Sequence, residues 1–203
     1  MRLGLYGGSF DPVHYGHLLL AESCREQAGL DRVIFLPAAV PPHKQDRTIS
    51  PAEHRAAMLE LAVAGHPAFE VSRYEVERGG VSYTVDTLRH FRGVFPDGEL
   101  CLLLGADMLN DLPHWREAAE VCRLALPLVV RRAGAEEPDL ECLRPIAAAE
   151  RIDEIARRRV EMPAIGLSGT DLRRRAAEGL GLRYRTPRAV EKYIQTHQLY
   201  RPV

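Results

Sequence analysis

The sequence predicts an α/β protein: a single doubly wound, Rossmann-like parallel sheet with helices on both faces. Three observations lead there. Strand-like and helix-like segments alternate along the chain. Several strand candidates are continuous apolar runs, as strands covered on both faces are. Right-handed crossovers between such strands give a doubly wound sheet, which places ligands beyond the carboxyl ends of its strands. Three polar or glycine-rich segments, 7–17, 105–107 and 168–173, each follow a strand candidate directly.

Residues 3–7 read as a short buried strand running into Gly7-Gly8. Leu18, Ala21, Cys24 and Ala28 fall at helical spacing over 17–28, with Gly29 as the C-cap. Val33–Leu36 is a second strand closed by Pro37, and 38–50 is a loop containing Pro41-Pro42-His43-Lys44. Ser50-Pro51-Ala52-Glu53 combines a cap, a first-turn proline and a third-position glutamate, which predicts a helix to about Ala64. Phe69–Glu75 is a strand, Thr84–Phe95 a helix, Leu100–Leu104 a strand ending in Gly105-Ala106-Asp107, and Leu124–Val130 another strand. Residues 160–167 form the last strand, Ser168 caps a helix, and Thr186–His197 is a terminal helix. The chain is expected to be one domain, 1–203, with 133–158 a variable helical or loop segment and 168–203 a helical C-terminal part.

Composition narrows the function classes. The 203 residues carry 27 Lys+Arg against 28 Asp+Glu, a formal charge of −1, with 46% hydrophobic residues. That excludes disorder as the main state and argues against a nucleic-acid partner. No apolar run approaches the roughly 18 residues of a membrane span, so no membrane partner is expected. The N-terminus lacks a signal-peptide h-region. Cys24, Cys101, Cys122 and Cys142 form no C-x-x-C pair and read as reduced, buried thiols of a cytoplasmic protein. The sequence leaves open whether the chain is a monomer or a homo-oligomer.

The strongest chemical signal is Gly7-Gly8-Ser9-Phe10-Asp11-Pro12-Val13-His14-Tyr15-Gly16-His17. Paired glycines after a strand let a ligand approach the backbone, and turn amides can donate to phosphate oxygens. His14 and His17 lie three apart, so both rings can face one side of a helix N-terminus, which itself favours anions. Two imidazoles there suit a polyphosphate and the charge that develops on a transferring phosphoryl group. Taken singly, each residue has a plain structural reading: a turn, a solvated histidine, a core phenylalanine. The string is neither G-x-G-x-x-G nor a P-loop, which disfavours a redox dinucleotide enzyme. Ser168-Gly169-Thr170-Asp171-Leu172-Arg173 is a capped helix start in its own right, and Arg173 adds a cation that phosphates can engage bidentately.

The two strings resemble the (H/T)-x-G-H and S-x-T-x-x-R motifs of the nucleotidyltransferases with a Rossmann-like fold. Within that superfamily the chain is similar to the bacterial nicotinate-nucleotide adenylyltransferases. Pro41–Lys44, Ser82–Leu88, Leu104–Asp107 with Trp115, and Tyr193–Tyr200 support the likeness, which spans almost the whole chain. Gly169 departs from the commoner serine, which should matter little if that position contributes only backbone.

The resemblance implies transfer of AMP from ATP to nicotinate mononucleotide, giving deamido-NAD and pyrophosphate without a covalent intermediate. It assigns His14, His17 and Arg173 to catalysis, and Gly7, Gly8, Ser9, Phe10, Ser168 and Thr170 to ATP. It assigns His43, Lys44, Thr84, Asp107, Trp115 and Arg132 to the mononucleotide. Mg²⁺ would ride on the ATP phosphates, with no protein residue as its dedicated ligand. Trp115 fits an ordinary half-buried aromatic equally well, and Arg131 and Arg132 fit surface charges. Rival expectations are a phosphopantetheine adenylyltransferase, a cytidylyltransferase, or a non-catalytic nucleotide sensor.

Overall fold

The computed structural model describes residues 1–42 and 49–201. Among these residues, six strands form one sheet in the order β3-β2-β1-β4-β5-β6. They are β1 Arg2–Gly8, β2 Arg32–Pro37, β3 Phe69–Val71, β4 Glu99–Gly105, β5 Leu126–Arg132 and β6 Val160–Met162. The chain starts at the centre of the sheet, moves out one way, returns beside β1 and moves out the other way. That reversal is the doubly wound pattern. The helices are α1 Tyr15–Ala28, α2 Ala52–Val63, α3 Tyr74–Arg78, α4 Thr84–Val94, α5 Ala118–Leu124, α6 Ala149–Arg157, α7 Gly169–Ala177 and α8 Arg188–Thr196.

The chain divides into two compact units. The first comprises Met1–Tyr6, Leu20–Ile34 and Tyr83–Ala164. Its centre is the parallel ladder of β1, β4 and β5, with Leu3 opposite Leu100 and Leu103 opposite Leu128. Leu3, Leu5, Leu100, Leu103, Leu128 and Val129 are all buried, as the continuous apolar runs require. Phe91 and Leu88 on α4 and Ile155 on α6 complete this core. Gly29 closes α1 at φ +62°, a backbone region that glycine enters without cost.

The second unit comprises Gly7–Leu19, Phe35–Ser82 and Ile165–Val203. Helix α2 buries Met58 and Leu59, and α8, which packs on it, buries Val190 and Ile194. Leu172 buries α7.

Four local expectations are corrected. The strand expected over 69–75 stops at Val71, because the Tyr74 N–H donates to the Ser72 hydroxyl at 3.3 Å and turns the chain into α3. The strand expected from Leu124 begins at Leu126, and α5 precedes it. Ala118, Val121 and Cys122 bury one face of α5 at helical spacing, a signal readable in the sequence. The last strand spans only Val160–Met162, since β5 offers only Val130–Arg132 for pairing. Ser50 does not cap α2: Pro51 stands at the N-cap without a side-chain bond, and Ser50 is engaged elsewhere. Segment 133–158 holds a 3₁₀ turn, Leu140–Leu143, and α6.

Candidate active site

The loop that follows β1 is held from beneath. The Ala38 N–H donates to the Gly8 carbonyl at 3.0 Å, and Arg55 Nη1 donates to the Ser9 carbonyl at 2.9 Å. Phe10 is buried and adopts φ +48°, a left-handed conformation that non-glycine residues seldom take. Its ring meets His17 edge-on at 5.1 Å. Asp11 is also buried, and its carboxylate accepts the Tyr200 hydroxyl at 2.7 Å and the Ser50 N–H at 3.2 Å. Burial, with the nearby Asp11 charge, pushes the Tyr200 phenol far up, so it stays a donor.

Helix α1 starts at Tyr15, two residues earlier than the sequence suggests, and His14 sits just before it. The His17 N–H closes the first turn on the His14 carbonyl at 2.9 Å. The two imidazoles stack with centroids 3.8 Å apart and planes inclined by 22°. A Cβ on Gly16 would come within 3.0 Å of the His14 ring, so the glycine between the histidines is what admits this ring pair. The His14 backbone N–H donates to His17 Nδ1 at 3.2 Å. That bond assigns the proton of the neutral His17 ring to Nε2, leaving Nε2–H as the donor. The buried Thr186 hydroxyl holds the Val13 carbonyl at 2.7 Å, and the Tyr15 N–H holds the Arg185 carbonyl at 3.1 Å, which fixes the backbone on both sides of His14.

The second motif arrives at the same loop. Ser168 is the N-cap of α7, its hydroxyl accepting from the Asp171 N–H at 3.2 Å, as its sequence predicts. Arg173 Nη1 donates to the Asp11 carbonyl at 2.6 Å, and Nη2 donates to Thr170 Oγ1 at 3.1 Å. Ser168 and Thr170 are exposed at this helix start. Gly169 does more than contribute backbone: a Cβ there would lie 2.9 Å from the Asp11 carbonyl oxygen. The glycine is what lets the two motifs close on each other. Gly7 to Phe10, His14, His17, Ser168, Thr170 and Arg173 thus lie in one unit, around Asp11. The resulting wall is made of hydrogen-bond donors: ring N–H, guanidinium, hydroxyls and a helix start.

The residues assigned to the mononucleotide are distributed differently. His43 and Lys44 lie outside the described residues. Thr84 opens α4, half-buried. Asp107 is exposed on the 3₁₀ turn after β4, and Arg132 is exposed at the end of β5. Both act electrostatically on Tyr6, whose buried hydroxyl is held well above the usual phenol range, chiefly by desolvation. Tyr6 is thus coupled electrostatically to both residues, and sequence reasoning did not single it out. Trp115 follows a 3₁₀ turn, and its Nε1 is buried with no hydrogen-bond partner among the described residues. Arg131 differs from its neighbour, since it pairs with Glu137 at 2.7 Å and Glu161 at 2.6 Å. Arg55 was also missed. An arginine three and four residues before Met58 and Leu59 shares their buried face, and that spacing was its only signal.

With this geometry in view, the class is clear: residues 5–175 match the family model of the cytidylyltransferase-like proteins. The chain is 47% identical to a probable nicotinate-nucleotide adenylyltransferase of Thermomicrobium roseum, over 100% of this chain and 92% of the relative. It is 46% identical to a protein of the same name in Thermus thermophilus, over 99% and 100% of the two chains. The chain belongs to the nicotinate-nucleotide adenylyltransferases of the cytidylyltransferase-like family. Among solved structures, Plasmodium falciparum nicotinic acid mononucleotide adenylyltransferase complexed with NaAD shares the fold. It has a TM-score of 0.73 and 15% identity, with 98% of this chain and 97% of that chain covered. No helix among the described residues is long and apolar enough to cross a membrane.

Proposed function

We propose that the chain transfers AMP from ATP to nicotinate mononucleotide, forming deamido-NAD and pyrophosphate, a step of NAD biosynthesis. The names of the relatives support the substrate pair. The meeting of the two motifs at Asp11, where Arg173 binds the carbonyl of the first-motif loop at 2.6 Å, carries the chemistry.

A phosphate oxygen of the mononucleotide attacks the α-phosphorus of ATP in line. The new O–P bond forms as the bond from the α-phosphorus to the bridging oxygen breaks, and the electron pair leaves on pyrophosphate. No covalent enzyme intermediate is involved, so catalysis is positioning and charge stabilisation. His17 Nε2–H donates to the α-phosphoryl oxygens as charge builds there, with His14 stacked behind it. The amides of Gly8, Ser9 and Phe10 line the same groove. Ser168, Thr170 and Arg173 hold the β- and γ-phosphates at the start of α7. Mg²⁺ enters with the triphosphate as part of the substrate; a wall of donors suits the phosphates rather than a metal ion. Thr84, Asp107, Trp115 and Arg132, with His43 and Lys44, are assigned to the mononucleotide. We place the reaction in the cytoplasm, in keeping with four free thiols.

A pyrophosphate-release assay with ATP and, in turn, nicotinate mononucleotide, nicotinamide mononucleotide and phosphopantetheine tests the assignment. Release with nicotinate mononucleotide above the other two is the expected result. Release only with phosphopantetheine, or with none of the three, overturns it.

A further inference from the structure

Arg55 is completely buried on α2, and among the described residues it is the largest fully buried side chain, yet it is a cation. Burying a guanidinium is costly, and a methionine or leucine would fill the same space. Its donors are spent on backbone rather than on filling the core. Nε donates to the Ser50 carbonyl at 2.8 Å, Nη1 to the Ser9 carbonyl at 2.9 Å and Nη2 to the Ala39 carbonyl at 3.0 Å. Ser9 belongs to the first-motif loop, while Ala39 and Ser50 stand at the two ends of the connection between β2 and α2. Burial lowers the pKa of the guanidinium, while the charge of Asp11 and the nearby Tyr200 and Glu75 work against that fall.

The bond to Ser9 has a directional consequence. In a trans peptide the carbonyl and the next N–H point to opposite sides. Anchoring the Ser9 carbonyl on Arg55 therefore turns the Phe10 N–H away from the buried side. Ala38 does the same one residue earlier by holding the Gly8 carbonyl at 3.0 Å, which turns the Ser9 N–H outward. Phe10 stands at φ +48°, a conformation that persists only where the surroundings impose it. The surroundings are Arg55 on the residue before it and, on the residue after it, the buried Asp11 carboxylate with its Tyr200 and Ser50 donors.

We propose that Arg55 is a positioning residue of the adenylyl-transfer site: by holding the Ser9 carbonyl it aims the Phe10 amide at the nucleotide phosphates. The proposal rests on the assigned reaction and adds a residue that touches no substrate. Lysine keeps the charge but presents one nitrogen, which cannot span these three carbonyls.

The test uses ¹H–¹⁵N spectra of the full chain, with inorganic pyrophosphate as the probe, beside steady-state kinetics of Arg55→Lys. In the parent protein, pyrophosphate should shift the Phe10 amide together with Thr170. In folded Arg55→Lys the Thr170 shift should remain and the Phe10 shift should vanish. The kcat should fall by about tenfold or more, while KM for nicotinate mononucleotide stays within about twofold. A folded Arg55→Lys that keeps both the Phe10 response and the parental kcat overturns the proposal, since a role in packing alone would move only the melting temperature. If Arg55→Lys does not fold, Arg55→Gln decides: the Phe10 response should vanish while that of Thr170 remains, and a retained Phe10 response with parental kcat is the contrary result. A parent protein that releases no pyrophosphate from ATP and nicotinate mononucleotide sinks the assigned reaction instead, while the Phe10 response to pyrophosphate still decides the role of Arg55.

Discussion

The guanidinium of Arg173 donates to the backbone carbonyl of Asp11 at 2.6 Å, across 162 positions of sequence. One side chain therefore does two jobs. It closes the second motif onto the first, and its Nη2 braces the Thr170 hydroxyl at the mouth of α7. Replacing Arg173 with alanine should raise KM for ATP by about tenfold, more than for the mononucleotide. It should also cost about 1–3 kcal/mol of stability, because the Asp11 carbonyl loses its donor. Parallel substrate titrations and a thermal melt separate the two effects, and equal weakening of both substrates would remove Arg173 from the triphosphate.

His17 is held in one tautomer by a backbone N–H, so its Nε2–H is set before substrate arrives. His17→Ala should lower kcat by about 10²–10³-fold with the melting temperature nearly unchanged. Retained turnover in a folded variant excludes His17 from the phosphoryl site.

Trp115 is the only tryptophan of the chain, so its emission reports on one place. Its Nε1, buried and without a hydrogen-bond partner among the described residues, marks an environment a ring ligand would alter. Saturating nicotinate mononucleotide should quench or shift the emission, and Trp115→Phe should abolish the signal. An unchanged spectrum at saturation counts against the ring-site assignment.

Arg131 and Arg132 are neighbours with different fates. Arg131 is engaged by Glu137 and Glu161, whereas Arg132 is exposed and acts electrostatically on Tyr6. Arg132→Ala should raise KM for the mononucleotide several-fold, while Arg131→Ala should leave the kinetics alone and change stability by no more than about 1 kcal/mol. The reverse ranking would assign the strand end to structure and its neighbour to substrate.

Burial pushes the Cys122 thiol up to about 11 and the Cys101 thiol up to about 12. The unfolded chain releases these protons at the ordinary thiol pKa, near 8.5, whereas the folded chain keeps them. The folded state thus binds more protons in this range, so its stability is whole below about 8.5 and declines as pH rises towards 11. Melting temperatures measured across that window should fall, and Cys122→Ala should flatten the slope. A pH-independent melting temperature contradicts this.

The two motifs proposed to hold ATP stand out in the sequence because each is a compact string. His14, His17, Ser168 and Arg173 each sit within a few residues of a helix start, and local chemistry announces them. The elements misjudged are those in which a local rule met a stronger neighbour. Ser50 looks like a helix cap, but its amide serves the Asp11 carboxylate and its carbonyl serves Arg55. Ser72 ends a strand by capturing the Tyr74 N–H. Arg55 and Tyr6 stayed hidden because a charge within a helix and a tyrosine within a strand each have a commonplace reading, which only tertiary burial revises.

The Tyr200 hydroxyl on the Asp11 carboxylate spans 189 positions. During synthesis the first-motif loop leaves the ribosome 189 positions before its partner does. A nascent chain stalled at any point before residue 200 therefore carries a first-motif loop whose Asp11 carboxylate still lacks its phenol donor.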